Sequence, residues 1–243
     1  MLSRTAVLLV LVSVCAFAQK RDPGPVPTME VKRATSPIRV DGKLDDAAWS
    51  SAQAVTFQFP WDAQTGAKQK TTARLLWDDT YLYVGYECED ADITAQFDQR
   101  DDPTYRDDAV EIFINPNPKQ LDFYYGLEMN ARAVLYDYFY FFPKMNLKRF
   151  NMTGVQLATT HRGTMNMRSD KDSGWTLELA IPWTNFVELA PKLPPEPSSK
   201  WTLNLNRWDG VEPERRLSQW SDSGLDRPNP HQPSRFGEVT FLK

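Results

Sequence analysis

Three stretches of the chain set carboxylates, amides and large rings at every second position, the spacing that gathers side chains on one face of a β-strand. Over 109–114, Glu111 and Phe113 oppose Val110, Ile112 and Ile114. Over 124–130, Tyr124, Gly126, Glu128 and Asn130 oppose Tyr125, Leu127 and Met129. Over 201–208, Asn204, Asn206 and Trp208 oppose Leu203 and Leu205. Carboxylates and amides offer acceptors and donors to hydroxyl groups, and Trp and Tyr offer flat apolar faces. A pyranose ring presents both kinds of surface, hydroxyl edges and a C–H face. Polar positions on adjacent strands sit about 5 Å apart. If the three strands are neighbours, their polar faces make a patch the size of a mono- or disaccharide.

Other chemistries find less support in the residue types. A glycosidase places two carboxylates across a cleft, one with a raised pKa. The 32 Asp and Glu always supply a pair, and no spacing singles out an acid and a base, so no enzymatic activity is expected. Zinc is excluded by the shortage of His and Cys. Axial haem ligation needs His and Met. His161 and His231 are the only histidines, with Met129, Met145, Met152, Met165 and Met167 as partners, and haem is the alternative from a different class. Asp41, Asp45, Asp46, Asp78 and Asp79 fall in turns, where acidic residues commonly serve the turn itself. A structural calcium stays open, without a ligand set. No block of Lys or Arg interrupts a net charge of −4, so the electrostatic footprint of nucleic-acid binding is missing.

The elements that must position these residues read as strands. Residues 71–77 and 81–87 flank the turn Asp78-Asp79-Thr80, and 109–114 ends at Asn115-Pro116-Asn117-Pro118. The Tyr- and Phe-rich stretch 123–142 holds two strands, followed by strands near 155–160, 175–181, 201–208, 217–220 and 239–242. Residues 38–40 read as a further strand, and 44–49 as a short helical turn with Asp45 as cap. No long helical period appears. Many short strands separated by turn signals predict an all-β fold, an antiparallel β-sandwich. Val110, Ile112, Ile114, Leu177, Leu179, Ile181, Leu203 and Leu205 are its expected core.

The N-terminus reads as an export signal. Arg4 precedes an apolar run over 6–14, and Ala16-Phe17-Ala18 gives the small-x-small pattern of a cleavage site before Gln19. The expected organisation is a signal peptide over 1–18, a flexible Pro-interrupted arm over 19–37, and one β-domain over 38–243. Cys15 leaves with the signal, so Cys88 is expected as a small buried hydrophobe without a disulfide partner. The mature chain is expected outside the cytoplasm, secreted or periplasmic, free of the membrane after cleavage and monomeric.

Six segments in order resemble the family 9 carbohydrate-binding module, a jelly-roll sandwich related to DOMON domains. They are residues 38–49 (with Val40-Asp41-Gly42-Lys43-Leu44-Asp45), 73–84, Asp107-Asp108-Ala109-Val110-Glu111-Ile112-Phe113-Ile114, 174–183, Gln219-Trp220-Ser221-Asp222 and Pro233-Ser234-Arg235-Phe236-Gly237. The resemblance implies a stand-alone, non-catalytic binder of oligo- or polysaccharide ends of the plant-wall type, a kind of domain that also serves glycoside hydrolases as an accessory module. It implies a site drawn from Tyr105, Glu111, Glu128, Asn130, Asn206, Trp208, Trp220 and His231. Some members clamp a sugar between two Trp rings. Here the first clamp region holds Tyr105, and the second holds Asn229-Pro230-His231-Gln232 with no Trp. His231 then stacks or hydrogen-bonds, or Trp220 or Trp208 replaces the missing ring.

Overall fold

The computed structural model describes residues 21–243 apart from 142, 144 and 148. The expected signal peptide lies outside the described residues. Thirteen strands are found among those described: β1 (Thr28–Arg33), β2 (Ala54–Thr56), β3 (Thr71–Trp77), β4 (Tyr81–Cys88), β5 (Ala109–Asn115), β6 (Phe123–Asn130), β7 (Leu135–Phe141), β8 (Met145–Leu147), β9 (Gln156–Arg162), β10 (Gly174–Pro182), β11 (Lys200–Asp209), β12 (Arg216–Gln219) and β13 (Gly237–Phe241).

They form one hydrogen-bonded path, β8-β7-β6-β5-β11-β13-β1-β3-β4-β10-β9, with β12 on β11 and β2 on β3. The path folds over at β1. Residues Thr28 to Val31 pair with Glu238 to Phe241 of β13, whereas Lys32 and Arg33 pair with Leu76 and Trp77 of β3. One strand thus belongs to both halves of a sandwich. We call the half running from β8 to β13 the first sheet, and the half from β3 to β9 the second. Both β1 pairings are parallel, and every other named pairing is antiparallel.

The arm expected over 19–37 is therefore corrected for its second half. Met29 and Val31 are buried in the common core, and Arg21 reaches across to an ion pair with Asp222. Two inward side chains amid four prolines were too short a signal to read as a strand. A second difference concerns 38–40, which form no strand, because this stretch lies over the outer face of the second sheet. The helical turn is a 3-10 turn at Ala47–Ser51, preceded by Asp46, whose carboxylate accepts the Arg39 N–H instead of capping the turn.

The expected core residues Val110, Ile112, Ile114, Leu177, Leu179, Ile181, Leu203 and Leu205 are all buried in one cluster fed by both sheets. Each such side chain contributes about 1.5–3 kcal/mol by leaving water. Trp77, Trp183, Trp201, Phe186 and Phe241 meet edge-to-face at one end of this core. Cys88 is buried at the other end of β4, between Thr71 of β3 and Trp175 of β10, its thiol pushed up to about 12 by burial.

Candidate functional site

Alternation places a second set of residues on the outer face of the first sheet. Register then lines them up across strands. One row runs Gln219, Asn206, Glu111, Glu128, Tyr136 over β12, β11, β5, β6 and β7. The next runs Asn204, Phe113, Gly126, Tyr138. Tyr124 and Tyr140 are paired in a third. The strands expected to be neighbours are neighbours, because β11 returns beside β5.

A cavity of about 360 Å³ opens on this face. Glu111 and Glu128 form its floor as a directly opposed cross-strand pair, and both are almost fully buried. Burial pushes Glu111 up to about 7, against the pull of the nearby Arg215 charge. Tyr138 donates its hydroxyl to Glu128 Oε1 at 2.7 Å. Its ring can lie there only because residue 126 is glycine: a Cβ at Gly126 would stand 2.2 Å from Tyr138 Cζ. Tyr136 receives the Asn146 amide at 3.3 Å and packs on Tyr105 with ring centroids 6.0 Å apart. Tyr105 sits on the 3-10 turn Thr104–Arg106, which Thr104 Oγ1 ties to the Glu128 carbonyl at 3.0 Å.

His231 closes the other side. Its ring lies parallel between Phe113 and Tyr140, at 5.0 and 5.2 Å between centroids. Its Nδ1 meets the Tyr124 hydroxyl at 2.6 Å. Burial pushes this imidazole down to about 4, so it is neutral at pH 7 and acts as an aromatic wall with hydrogen-bonding edges. Trp208 forms a further wall, with the Arg215 guanidinium 4.2 Å from its ring centroid.

Tyr105, Glu111, Glu128, Trp208 and His231 thus meet at one cavity. The other three expected site residues do not line it. Asn206 is fully buried beside Glu111, with its Oδ1 taken by Gln219 at 3.0 Å. Asn130 is at the strand end, where its amide bonds the Phe97 carbonyl and Asp107 while its Oδ1 receives Arg132 and Val134 N–H. Trp220 points into the sandwich core, because Gln219 before it faces outward opposite Asn206. Asn229 and Pro230 of the second clamp region line the cavity too, while sequence reasoning missed Tyr136, Tyr138, Tyr140, Asn146 and Pro228, which also line it. A signal existed for the tyrosines: 136, 138 and 140 alternate with Asp137, Phe139 and Phe141.

Buried polar atoms that lack a hydrogen-bond partner concentrate here. Glu111 Oε2, Asn146 Oδ1, Asn206 Nδ2 and both Nε and Nη2 of Arg215 are among them. Glu111 and Asn146 line the cavity, Asn206 and Arg215 lie next to its lining residues Glu111 and Trp208, and such atoms are rare in folded proteins and cost stability.

The sequence profile of the carbohydrate family 9 binding domain-like family matches residues 40–243. The chain belongs to that family. Among its relatives, Exoglucanase XynX of Acetivibrio thermocellus is 29% identical over 62% of this chain, and Endo-1,4-beta-xylanase C of Paenibacillus barcinonensis is 35% identical over 84%. The matched regions are only 12% and 16% of those enzymes. Among solved structures, a Bacteroides uniformis protein described as carbohydrate-binding superposes with a TM-score of 0.73, at 17% identity, over 89% of this chain and 99% of its own. A family 9 carbohydrate-binding module from Caldicellulosiruptor kristjanssonii, solved with cellotriose, superposes with a TM-score of 0.60, at 20% identity, over 88% and 93%. These likenesses bear out the β-sandwich.

Asp78 accepts Thr80 and Tyr81 N–H and the Tyr83 hydroxyl, and Asp41 pairs with Lys43. Those acids serve their turns. Among the described residues, the carboxylates near enough to share a cation are instead Asp90, Asp108 and Asp209. Arg207 bonds two of these, Asp90 at 2.9 Å and Asp209 at 2.5 Å, and both oxygens of Asp108 accept backbone N–H groups. The chain's own guanidinium fills the cation's role there. His161 Nε2 contacts the Ala131 carbonyl, and His231 is held between two rings. No helix among the described residues is long and apolar enough to cross a membrane.

Proposed function

We propose that this chain is an exported, non-catalytic carbohydrate-binding protein that holds the end of an oligo- or polysaccharide in the cavity on the first sheet. The observation that carries the reading is the Glu111–Glu128 pair walled by Tyr105, Tyr136, Tyr138, Tyr140, Trp208 and His231. Carboxylates accept hydrogen bonds from sugar hydroxyls, and the rings take the C–H face. A volume of about 360 Å³ suits one or two sugar residues. The related module solved with cellotriose, and again with glucose, supports the ligand class.

Calorimetry of residues 19–243 against cello- and xylo-oligosaccharides tests it. Saturable binding is expected, weakened in Glu111→Gln and Tyr105→Ala with the fold intact. Absence of binding to any glycan on an array, or variants that bind as tightly as the parent, would defeat the proposal. Turnover of chromogenic glycosides would defeat its non-catalytic part.

A further inference from the structure

Beside the cavity, Arg215 is provided for differently from its neighbours. It lies between β11 and β12, flat enough on Trp208 to bring the guanidinium carbon 4.2 Å from the ring centroid. Arg207, on β11, is saturated by Asp90, Asp209, Thr71 and the Glu89 carbonyl except at Nε. Arg216, the next residue, is held by the carbonyls of Gly66, Trp61 and Gln64. Arg215 instead keeps Nε and Nη2 buried without a partner. Burial lowers its pKa, a shift that Glu111 and then Glu212 oppose. Two buried guanidinium N–H groups without a hydrogen-bond partner are costly, and the cost is recovered when a ligand supplies one.

The two unsatisfied atoms define the ligand. Nε and Nη2 are the side edge of the guanidinium, a pair of parallel N–H bonds whose spacing matches the two oxygens of a carboxylate. The indole beneath fixes the plane of that fork. The acids lie along the sheet from it: Glu111 on β5, next to β11, and Glu128 one strand further on β6. Strands are about 4.8 Å apart. A pyranose over Glu111 therefore spans from a cationic corner at Arg215 to an acidic floor at Glu128, and a sugar that is anionic at one edge and hydroxylated at the other fits that polarity.

Resting on the carbohydrate reading above, we propose that Arg215 makes this a site for an acidic sugar, a hexuronic acid residue whose carboxylate takes the Nε and Nη2 protons while its ring hydroxyls meet Glu111. Arg215 is then the specificity-determining residue, and a neutral sugar binds without using it.

The test is calorimetry of residues 19–243 with three probes: xylotriose, xylotriose bearing a glucuronic acid, and the methyl ester of that uronate. The ester keeps the size and removes the charge. The acid is expected to bind at least tenfold tighter than the ester. That ratio should fall to about one in Arg215→Gln and survive in part in Arg215→Lys, whatever either change does to xylotriose affinity. Equal binding of acid and ester by the parent overturns the inference and leaves the carbohydrate reading standing, as does a ratio that persists in Arg215→Gln. Should that variant fail to fold, the parent's acid-to-ester ratio decides alone. Binding of none of these probes, or of any other glycan, removes both.

Discussion

The outer faces of the two sheets use the same three parts and reach opposite ends. On the second sheet, Glu178 points outward from β10 opposite Gly85 of β4, and Trp49 lies over that glycine and donates its indole N–H to Glu178 at 2.9 Å. On the first, Glu128 points outward from β6 beside Gly126, and Tyr138 lies over that glycine and donates its hydroxyl to Glu128. The difference is what comes next. At Glu178 the turn at Asp41 and Gly42 adds two backbone N–H bonds, at 2.8 and 2.7 Å, and the segment 38–52 covers the face. At Glu111 and Glu128 no such turn arrives, and a cavity remains. One carboxylate is sealed beneath a covering segment, and the other pair borders an open cavity.

The strand that keeps both faces on one body is β1, and removing it should have the largest effect. A chain beginning at Ile38 loses pairings to β13 and β3 together, along with the burial of Met29 and Val31. It is expected to show no cooperative thermal transition by circular dichroism. If instead it melts as the parent does, the two sheets need no shared strand.

Next in size is Glu178→Ala. It strands two backbone N–H groups and an indole N–H under the 38–52 segment. Each buried donor left unpaired costs about 1–3 kcal/mol, so a loss of roughly 3 kcal/mol or more is expected in urea unfolding. Sugar affinity of the folded fraction should stay within twofold. A matching loss of affinity would mean that the two faces are coupled through the core.

These two regions also differ in how far the sequence disclosed them. Alternation exposed β3, β5, β10 and β11 and their inward residues, because period two is written in the residue types themselves. The same period put Glu111, Glu128 and Trp208 on outward faces. What it does not encode is register. Trp220 and Asn206 both looked available, yet the Gln219–Asn206 pairing turns one into the core and ties up the other. Nor does it show which outward carboxylate a distant turn will cover. Glu178 and Glu111 look alike in the sequence, and only the folded path of 38–52 separates them.

The glycines sharpen the comparison at a smaller scale. A Cβ at Gly126 would stand 2.2 Å from Tyr138 Cζ, and one at Gly85 would stand 2.4 Å from Leu44 Cδ2 and 3.2 Å from Trp49 Cη2. Overpacking of this kind costs about 1–3 kcal/mol. Gly126→Ala should lose stability and sugar affinity together, since Tyr138 must leave Glu128. Gly85→Ala should lose stability alone, and less of it, because the Leu44 side chain can turn aside. Differential scanning calorimetry and binding on the same samples separate the cases, and equal affinity losses would erase the distinction between a sealed face and an open one. Measured above pH 7, where Glu111 is ionised, Glu111→Gln should weaken binding by about tenfold, the loss of one charge-assisted hydrogen bond of roughly 1.5 kcal/mol.

The smallest expected signal in the parent is its pH dependence, and it is small because two opposite terms overlap at the open face. Glu111 rises from an ordinary 4.5 to about 7, so between those values the native state holds more protons than the unfolded chain. Its contribution to stability is full below about 4.5 and is lost as pH rises through about 7. His231 falls from 6.5 to about 4, so between these values the unfolded chain holds more protons. Its contribution is full above about 6.5 and is lost as pH falls through about 4. Each is worth on the order of 3 kcal/mol, and across pH 4.5–6.5 the slopes oppose. From these two groups the parent should therefore show little net slope in that window. Glu111→Gln removes the falling term, and its urea-unfolding free energy should climb from pH 4.5 to 6.5 and then level. His231→Phe keeps a ring between Phe113 and Tyr140 and removes the rising term, so its stability should decline from pH 4.5 to 7. Opposite slopes in the two variants are the signature of an acid and an imidazole held unionised by one unsealed cavity. Parallel slopes would show that one of them is solvated, and that the open face is wetter than the sealed one by more than its missing turn.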